Sequence, residues 1–243
     1  MVLGTGLPKR IYKRLPRRLP RSLGFKIYAL FFDGVDDYVE VPDDPSLRPS
    51  EVTVEALYYR PADVLDREQL IVANRDLDNR RGYNLFDSYG YLGFQTGDGS
   101  SWYNAYVENT ELVDTWVLLH GIHTAGKNIL YINGEKVAEA DAPPVVYTEG
   151  IPLMIGREPV YMARFLLGQI ALVRIYNRPL SQAEIRRNII EYHNPVRDGL
   201  VLFLYDRIVG DTWYDESPYA NNGTIYGAVR KELAMWELRA SIL

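Results

Sequence analysis

From about residue 26 onward the sequence breaks into short runs of β-branched and aromatic residues, each closed by a cluster of Gly, Asn, Asp or Pro. A lone strand cannot satisfy its own backbone hydrogen bonds, so each run must pair with another. The pattern predicts strands at 27–32, 37–41, 52–60, 68–74, 81–87, 90–95, 101–107, 115–122, 128–133, 136–140, 152–156, 166–176, 200–205 and 223–228. Many short strands with turn residues between them imply an all-β sandwich or barrel. The chain has 243 residues, 47% of them hydrophobic, which is enough to close one large core or two small ones. YINGEKV (131–137) is the clearest hairpin, because Asn133-Gly134 accepts the left-handed backbone of a two-residue turn. VTVEALYY (52–59) and QIALVRIY (169–176) alternate cleanly, which predicts one buried face for each.

One internal helix is predicted. Ser181 and Glu184 have capping-box spacing ahead of IRRNIIEYH, and Pro195 ends the run. Leu233 to Leu243 reads as a second short helix, apolar enough to need a partner surface. Near the end stands DESPYANNGTIYGAV (215–229), where Asn221-Asn222-Gly223 signals a tight turn into a strand. That strand is expected to return to the body that the FDG segment at 32–34 begins. The resulting division is a Pro-rich basic arm (1–24), one sandwich (25–229) and an apolar tail (230–243).

Charge is uneven along the chain. Residues 1–26 carry eight bases, and no acid precedes Asp33. The prolines of RLPRRLPRS block both helix and central strand, so the arm is expected to be extended. Lys9, Arg10, Lys13, Arg14, Arg17, Arg18 and Arg21 form a candidate polyanion site, for nucleic acid or for the acidic flank of a neighbouring subunit. The longest apolar stretch after these charges, IYALFF, is too short for a secretory signal, and no run reaches the ~20 residues of a membrane span. Synthesis in the cytoplasm without a signal peptide is therefore expected. The absence of cysteine excludes disulfides, thiolate metal sites and a Cys nucleophile.

Several segments carry a family resemblance: FDGVDDYVEVPDDPSL (32–47), VTVEA (52–56), GYNLF (82–86), LYINGEKVAEA (130–140), IGR (155–157) and GQIALVRIYNRPLSQAEI (168–185). Together they resemble the laminin-G-like branch of the concanavalin-A-like lectin/glucanase superfamily. The resemblance implies a jelly-roll sandwich of two antiparallel sheets with the SQAEI helix on its edge. In that family a phrase like GLVLFLYD…WYDESPYANNGTIYGA usually comes first; here it comes last, which suggests a circularly permuted strand order. A strand position often held by Trp is Leu57 here, which weakens any sugar stacking at that point.

The residues suggest four kinds of chemistry. Glu139 and Asp141 come nearest to the E-x-D-x-x-E acids that the resemblance associates with glucanases, but the third acid is missing. His120 and His123 are three apart, which on a strand puts them on opposite faces and excludes a shared metal. Asp33, Asp36 and Asp37 cluster around a Gly turn and could hold Ca²⁺ or serve as local turn caps; Asp215, Asn221 and Asn222 form a second oxygen-rich loop. The resemblance adds that laminin-G-like sandwiches often carry a structural calcium at a loop. Trp102, Tyr103 and Asn104, with Arg75 and Asn79 from the neighbouring turn, form a candidate carbohydrate-binding set; Tyr106 and Asp76 lie in the same segments.

The function expected from these features is non-enzymatic: a structural or adhesion protein of a virion or surface assembly. Its arms would tie copies of the chain or other subunits together. The alternative is a carbohydrate-binding module, and a glycoside hydrolase is disfavoured.

Overall fold

The computed structural model describes residues 27–233. The basic arm, with its candidate polyanion site Lys9 to Arg21, and the expected helix beyond Leu233 lie outside the described residues. Sixteen strands and one helix follow in chain order: β1 (Ile27–Asp33), β2 (Tyr38–Val41), β3 (Val52–Arg60), β4 (Glu68–Asp76), β5 (Arg81–Ser88), β6 (Tyr91–Asp98), β7 (Trp102–Glu108) and β8 (Thr115–Thr124). Then come β9 (Lys127–Ile132), β10 (Glu135–Asp141), β11 (Leu153–Ile155), β12 (Leu167–Tyr176), α1 (Gln182–Ile190), β13 (Leu200–Val209), β14 (Thr212–Asp215), β15 (Gly223–Tyr226) and β16 (Val229–Leu233).

The strands form one antiparallel path, β10-β9-β8-β3-β12-β13-β14-β15-β2-β11-β4-β5-β6-β7, with β1 also on β12 and β16 on β1. The path doubles back so that β6 and β7 pack over β8, β9 and β10. This is the expected two-layer jelly-roll, except that its layers are continuous at one corner. There β13 bends at an irregularity between Leu204 and Ile208, pairing with β12 before it and β14 after it. A bulge of this kind bends a strand and lets one strand serve both layers.

The late segment is built into the sheet. β15 lies between β14 and β2, with Ile225 opposite Val39, and β16 pairs with β1 across the expected boundary at 230. The turn before β15 differs from the expectation: Ala220 (φ 58°) takes the left-handed conformation, not Asn221, Asn222 or Gly223. Gly223 answers to space instead, since a Cβ there would lie 2.6 Å from Val39 Cγ1. Asn133 (φ 50°) and Gly134 (φ 81°) do form the expected β9–β10 hairpin turn.

Between the layers, Phe32, Val39, Val54, Tyr58, Leu85, Phe94, Leu130, Val173 and Trp213 are fully or almost fully buried. A second apolar cluster covers the outer side of β3, β8 and β12: Leu57, Trp116, Leu118 and Leu172 gather with Ile185 and Ile189 of α1. Burying those two isoleucines contributes roughly 1.5–3 kcal/mol each. The single buried face predicted for β3 and β12 is therefore corrected: both faces are covered. The polar side of the alternation is buried by pairing. Glu55, fully buried on β3, contacts His120 Nε2 (2.9 Å) and Arg174 Nη1 (3.1 Å) and accepts from Asn188 Nδ2 of α1 (3.0 Å). Ser181 and Glu184 make the predicted capping box, and Arg178 adds an ion pair to Glu184 at 2.7 Å.

Candidate functional site

The outer face of β4–β7 is a grid set by strand register. Period-two alternation sends Leu85, Leu92, Phe94 and Ala105 inward, so their neighbours Asn84, Phe86, Tyr91, Gln95, Asn104 and Tyr106 point outward. Register then aligns four rows across the strands: Arg75-Gly82-Gly97-Trp102, Ala73-Asn84-Gln95-Asn104, Leu70-Phe86-Gly93-Tyr106 and Glu68-Ser88-Tyr91-Glu108. The middle rows, with Arg75, Glu68, Ser88 and Tyr91 of the flanking rows, line a groove of about 430 Å³ that also includes Tyr89.

Two glycines shape this face of the sheet. A Cβ on Gly93 would lie 2.2 Å from Phe86 Cζ, and one on Gly97 would lie 2.8 Å from Trp102 Cζ3. The missing side chains let both rings lie down over β6. At the other end Tyr91 and Tyr106 meet edge to face at 5.7 Å, and Tyr106 is 56% exposed.

Hydrogen bonds join the amide row in one direction. Asn84 Nδ2 (3.0 Å) and Arg75 Nη1 (3.3 Å) both donate to Gln95 Oε1, and Gln95 Nε2 donates to Asn104 Oδ1 (2.5 Å). This leaves capacity at both ends. Asn84 is fully buried, and its Oδ1 has no partner among the described residues. Asn104 Nδ2 and Ser88 Oγ likewise donate to no described group.

The segment after β11 braces the charged residues of the groove from behind. Glu158, fully buried, lies 3.2 Å from Arg75 Nε and 3.3 Å from Arg164 Nη1, while Arg164 Nε reaches Glu68 at 2.8 Å. Burial pushes the Glu158 carboxyl above its ordinary range, and the two guanidinium groups pull against that shift.

A second feature lies where β1 leads into β2. The carboxylates of Asp33, Asp36 and Asp37 place oxygens within 4.8 Å of one another. Asp37 Oδ2 accepts from Asp33 N and Asp33 Oδ1 from Val35 N, both at 2.8 Å, so each of these two keeps a second oxygen clear of those bonds. Burial, with the like charges of Asp33 and Asp36, holds Asp37 above its usual value. Crowded anionic oxygens in a loop are the donor set that a hard cation such as Ca²⁺ requires.

Residues 33–186 match the family model described as the concanavalin A-like lectin/glucanases superfamily. The chain belongs to this superfamily. The match begins at Asp33 and ends within α1, so β13–β16 lie beyond it although they complete the sheet. Among solved structures, a candidate carbohydrate binding protein from Bacteroides ovatus superposes with TM-score 0.64 at 21% identity, over 86% of this chain and 61% of that one. A heptameric SAP-like pentraxin from Limulus polyphemus gives 0.57 at 13%, over 88% and 99%. Domains LG4-5 of the mouse laminin alpha1 chain give 0.51 at 13%, over 65% and 45%. This chain thus spans about three fifths of the Bacteroides protein, and identities this low show the shared fold. No curated protein matches the sequence.

In this concanavalin A-like sandwich the candidate carbohydrate residues part company. Arg75, Trp102 and Asn104 share the outer face of β4–β7, with Arg75 Cζ 4.8 Å from the Trp102 ring centre. Tyr103 has the opposite alternation on β7, and its hydroxyl donates to Asp98 (3.1 Å). Asn79 belongs to the turn after β4, where its Nδ2 donates to Asp76 (2.7 Å). Asn84, Gln95, Phe86, Ser88, Tyr89 and Tyr91 were not anticipated; the outward period-two sets on β5 and β6 were the signal that pointed to most of them.

The other candidates resolve into structural roles. Asp215 accepts from Phe203 N, Ser217 N, Ser217 Oγ and Asn221 N at 2.6–2.8 Å, so the second oxygen-rich loop is internally satisfied. Glu139 on β10 is held ionised, below its usual value, by Lys127 and Lys136. His120 faces Glu55, while His123 Nδ1 lies 2.8 Å from Asn128 Oδ1 on the other side of β8. Among the described residues no helix is long and apolar enough to cross a membrane.

Proposed function

We propose that this protein is a non-catalytic glycan-binding module whose ligand lies in the groove over β4–β7. One observation carries the reading: an amide row with unspent hydrogen-bonding capacity, Asn84 Oδ1 and Asn104 Nδ2, runs beside exposed Tyr91 and Tyr106. A sugar ring has an apolar face and a rim of hydroxyls. Its face stacks on a tyrosine, and its rim hydroxyls bond to the amides. The name of the Bacteroides ovatus structure points the same way. The acids near the groove suit binding better than hydrolysis, because Glu158 and Glu68 are both engaged with Arg164. A glycan array probed with the wild-type chain and Tyr106→Ala tests the reading. Binding that fails to appear, or that survives the substitution unchanged, overturns it.

Asp33, Asp36 and Asp37 would hold a structural calcium that ties β1 to β2, neutralising three like charges. An assembly role, in a virion or at a surface, is a second reading, favoured by the eight bases before the first acid. The arm would bind nucleic acid or the acidic flank of another subunit. Sedimentation of the intact chain against one lacking residues 1–24 tests it: equal monomeric behaviour for both at high concentration overturns that role.

A further inference from the structure

We infer that the groove selects uncharged glycans, with Asn84 Oδ1 as the acceptor that reads a sugar hydroxyl. The inference rests on the groove being the glycan site, and it adds the class of glycan.

Only two groove residues, Arg75 and Glu68, are formally charged. Arg75 is 6% exposed and already in an ion pair: its Nε faces Glu158, its Nη1 donates to Gln95, and its Cζ lies over the Trp102 ring. A uronate or sulfate that recruited Arg75 would compete with the buried Glu158 for one guanidinium, and weakening a buried pair is costly. Such a ligand would also approach Glu68. An amino sugar meets the opposite obstacle in Arg75 and Arg164, which already hold the local acids.

What the groove leaves unspent is neutral. Asn84 Oδ1 is a buried acceptor without a donor, an arrangement that costs free energy until something supplies a proton. Asn104 Nδ2 is a donor two strands away, with Gln95 bonded to both residues between them. A hydroxyl donates and accepts with equal ease, so a neutral glycan serves both ends. Two strand spacings amount to ~10 Å, a gap that one sugar ring with a hydrogen bond at each end can bridge.

Titration calorimetry on the full chain, at low and high salt, tests this. The probes are neutral gluco-, galacto-, manno- and xylo-configured mono- to hexasaccharides, set against uronate, sulfated, sialylated and amino-sugar counterparts of equal length. The expected result is that a neutral glycan binds with little salt dependence and better than its charged counterparts. Asn84→Ala should weaken it by about tenfold, the loss of one hydrogen bond to a desolvated group. Because Asn84 is buried, Asn104→Ala is the companion variant, and thermal melting shows whether each is folded. An acidic glycan bound in the groove with steep salt dependence overturns the inference and leaves the glycan-binding reading standing. Neutral binding that tolerates both alanine variants removes the role of Asn84. No binding from either panel removes the reading and the inference together.

Discussion

Arg75 and Trp102 stack at 4.8 Å although two whole strands separate them. They occupy the ends of one row, on β4 and β7, and the residues between them are Gly82 and Gly97. With no side chains in the middle, the ends of the row meet.

Gly97→Ala should therefore harm the fold and the groove at once. The new Cβ would lie 2.1 Å from the Arg80 carbonyl oxygen and 2.8 Å from the Trp102 ring, and the first obstacle is backbone. Overpacking of this kind costs about 1–3 kcal/mol. A lower melting temperature, with changed near-ultraviolet dichroism from Trp102, is the expected observation; an unchanged melt refutes the packing account.

Tyr106→Ala separates binding from stability. The side chain is 56% exposed and its ring meets that of Tyr91, so stability should move by less than about 0.5 kcal/mol. Affinity for a bound oligosaccharide should fall by roughly 10- to 30-fold, as expected for an aromatic anchor. A variant that melts normally and binds normally rules the platform out.

Glu55→Gln tests the polar anchor beneath α1. Burial alone would raise the Glu55 carboxyl, but Arg174, His120 and Asn188 hold it at about 2 against an ordinary 4.5. A depressed carboxyl contributes stability that is complete above its unfolded value and lost as pH falls toward the folded one. The wild type should thus lose about 3 kcal/mol from this group between about pH 4.5 and 2. Asp87 and Glu158, both pushed up by burial, contribute with the opposite sign, so the difference between wild type and Glu55→Gln is the quantity to follow. At neutral pH the variant should be destabilised by about 3–5 kcal/mol, and urea midpoints should converge with the wild type in acid. Parallel curves at all pH values contradict this account.

Calcium should raise the melting temperature at neutral pH. Asp37 is held above its usual value, so its ionisation on the folded protein costs stability as pH rises through that raised value. A bound cation removes the cost, and a bound proton removes it too. The calcium gain should accordingly shrink as the medium is acidified. Asp36→Asn, at an exposed ligand, should abolish the gain. A gain that persists in the variant places the ion elsewhere.

The sequence disclosed those parts of the fold that are local. The β9–β10 turn, the Ser181 cap and most strand positions follow from neighbouring residues. β16 was missed because VRKEL has no apolar alternation, and it is a strand because β1 offers it an edge. The burial of Glu55 was illegible because its partners Arg174 and Asn188 lie 119 and 133 residues away. The groove lay between these cases. Alternation on β5, β6 and β7 marks which residues face outward, but only register between the strands lines up Asn84, Gln95 and Asn104.

β4 to β7 follow one another in the chain, and their lateral attachment to the remaining sheet is the three-residue strand β11, which meets β4 at Met154–Ala73 and Ile155–Val72. The groove face is thus a contiguous stretch of polypeptide, fastened sideways by a narrow clasp. Insertions in distant loops or rearrangements of the closing strands can shift this panel as a unit without scrambling the alignment of its rows. The alignment of the rows is thus settled within one contiguous stretch, while the inner face of that stretch packs on β8, β9 and β10.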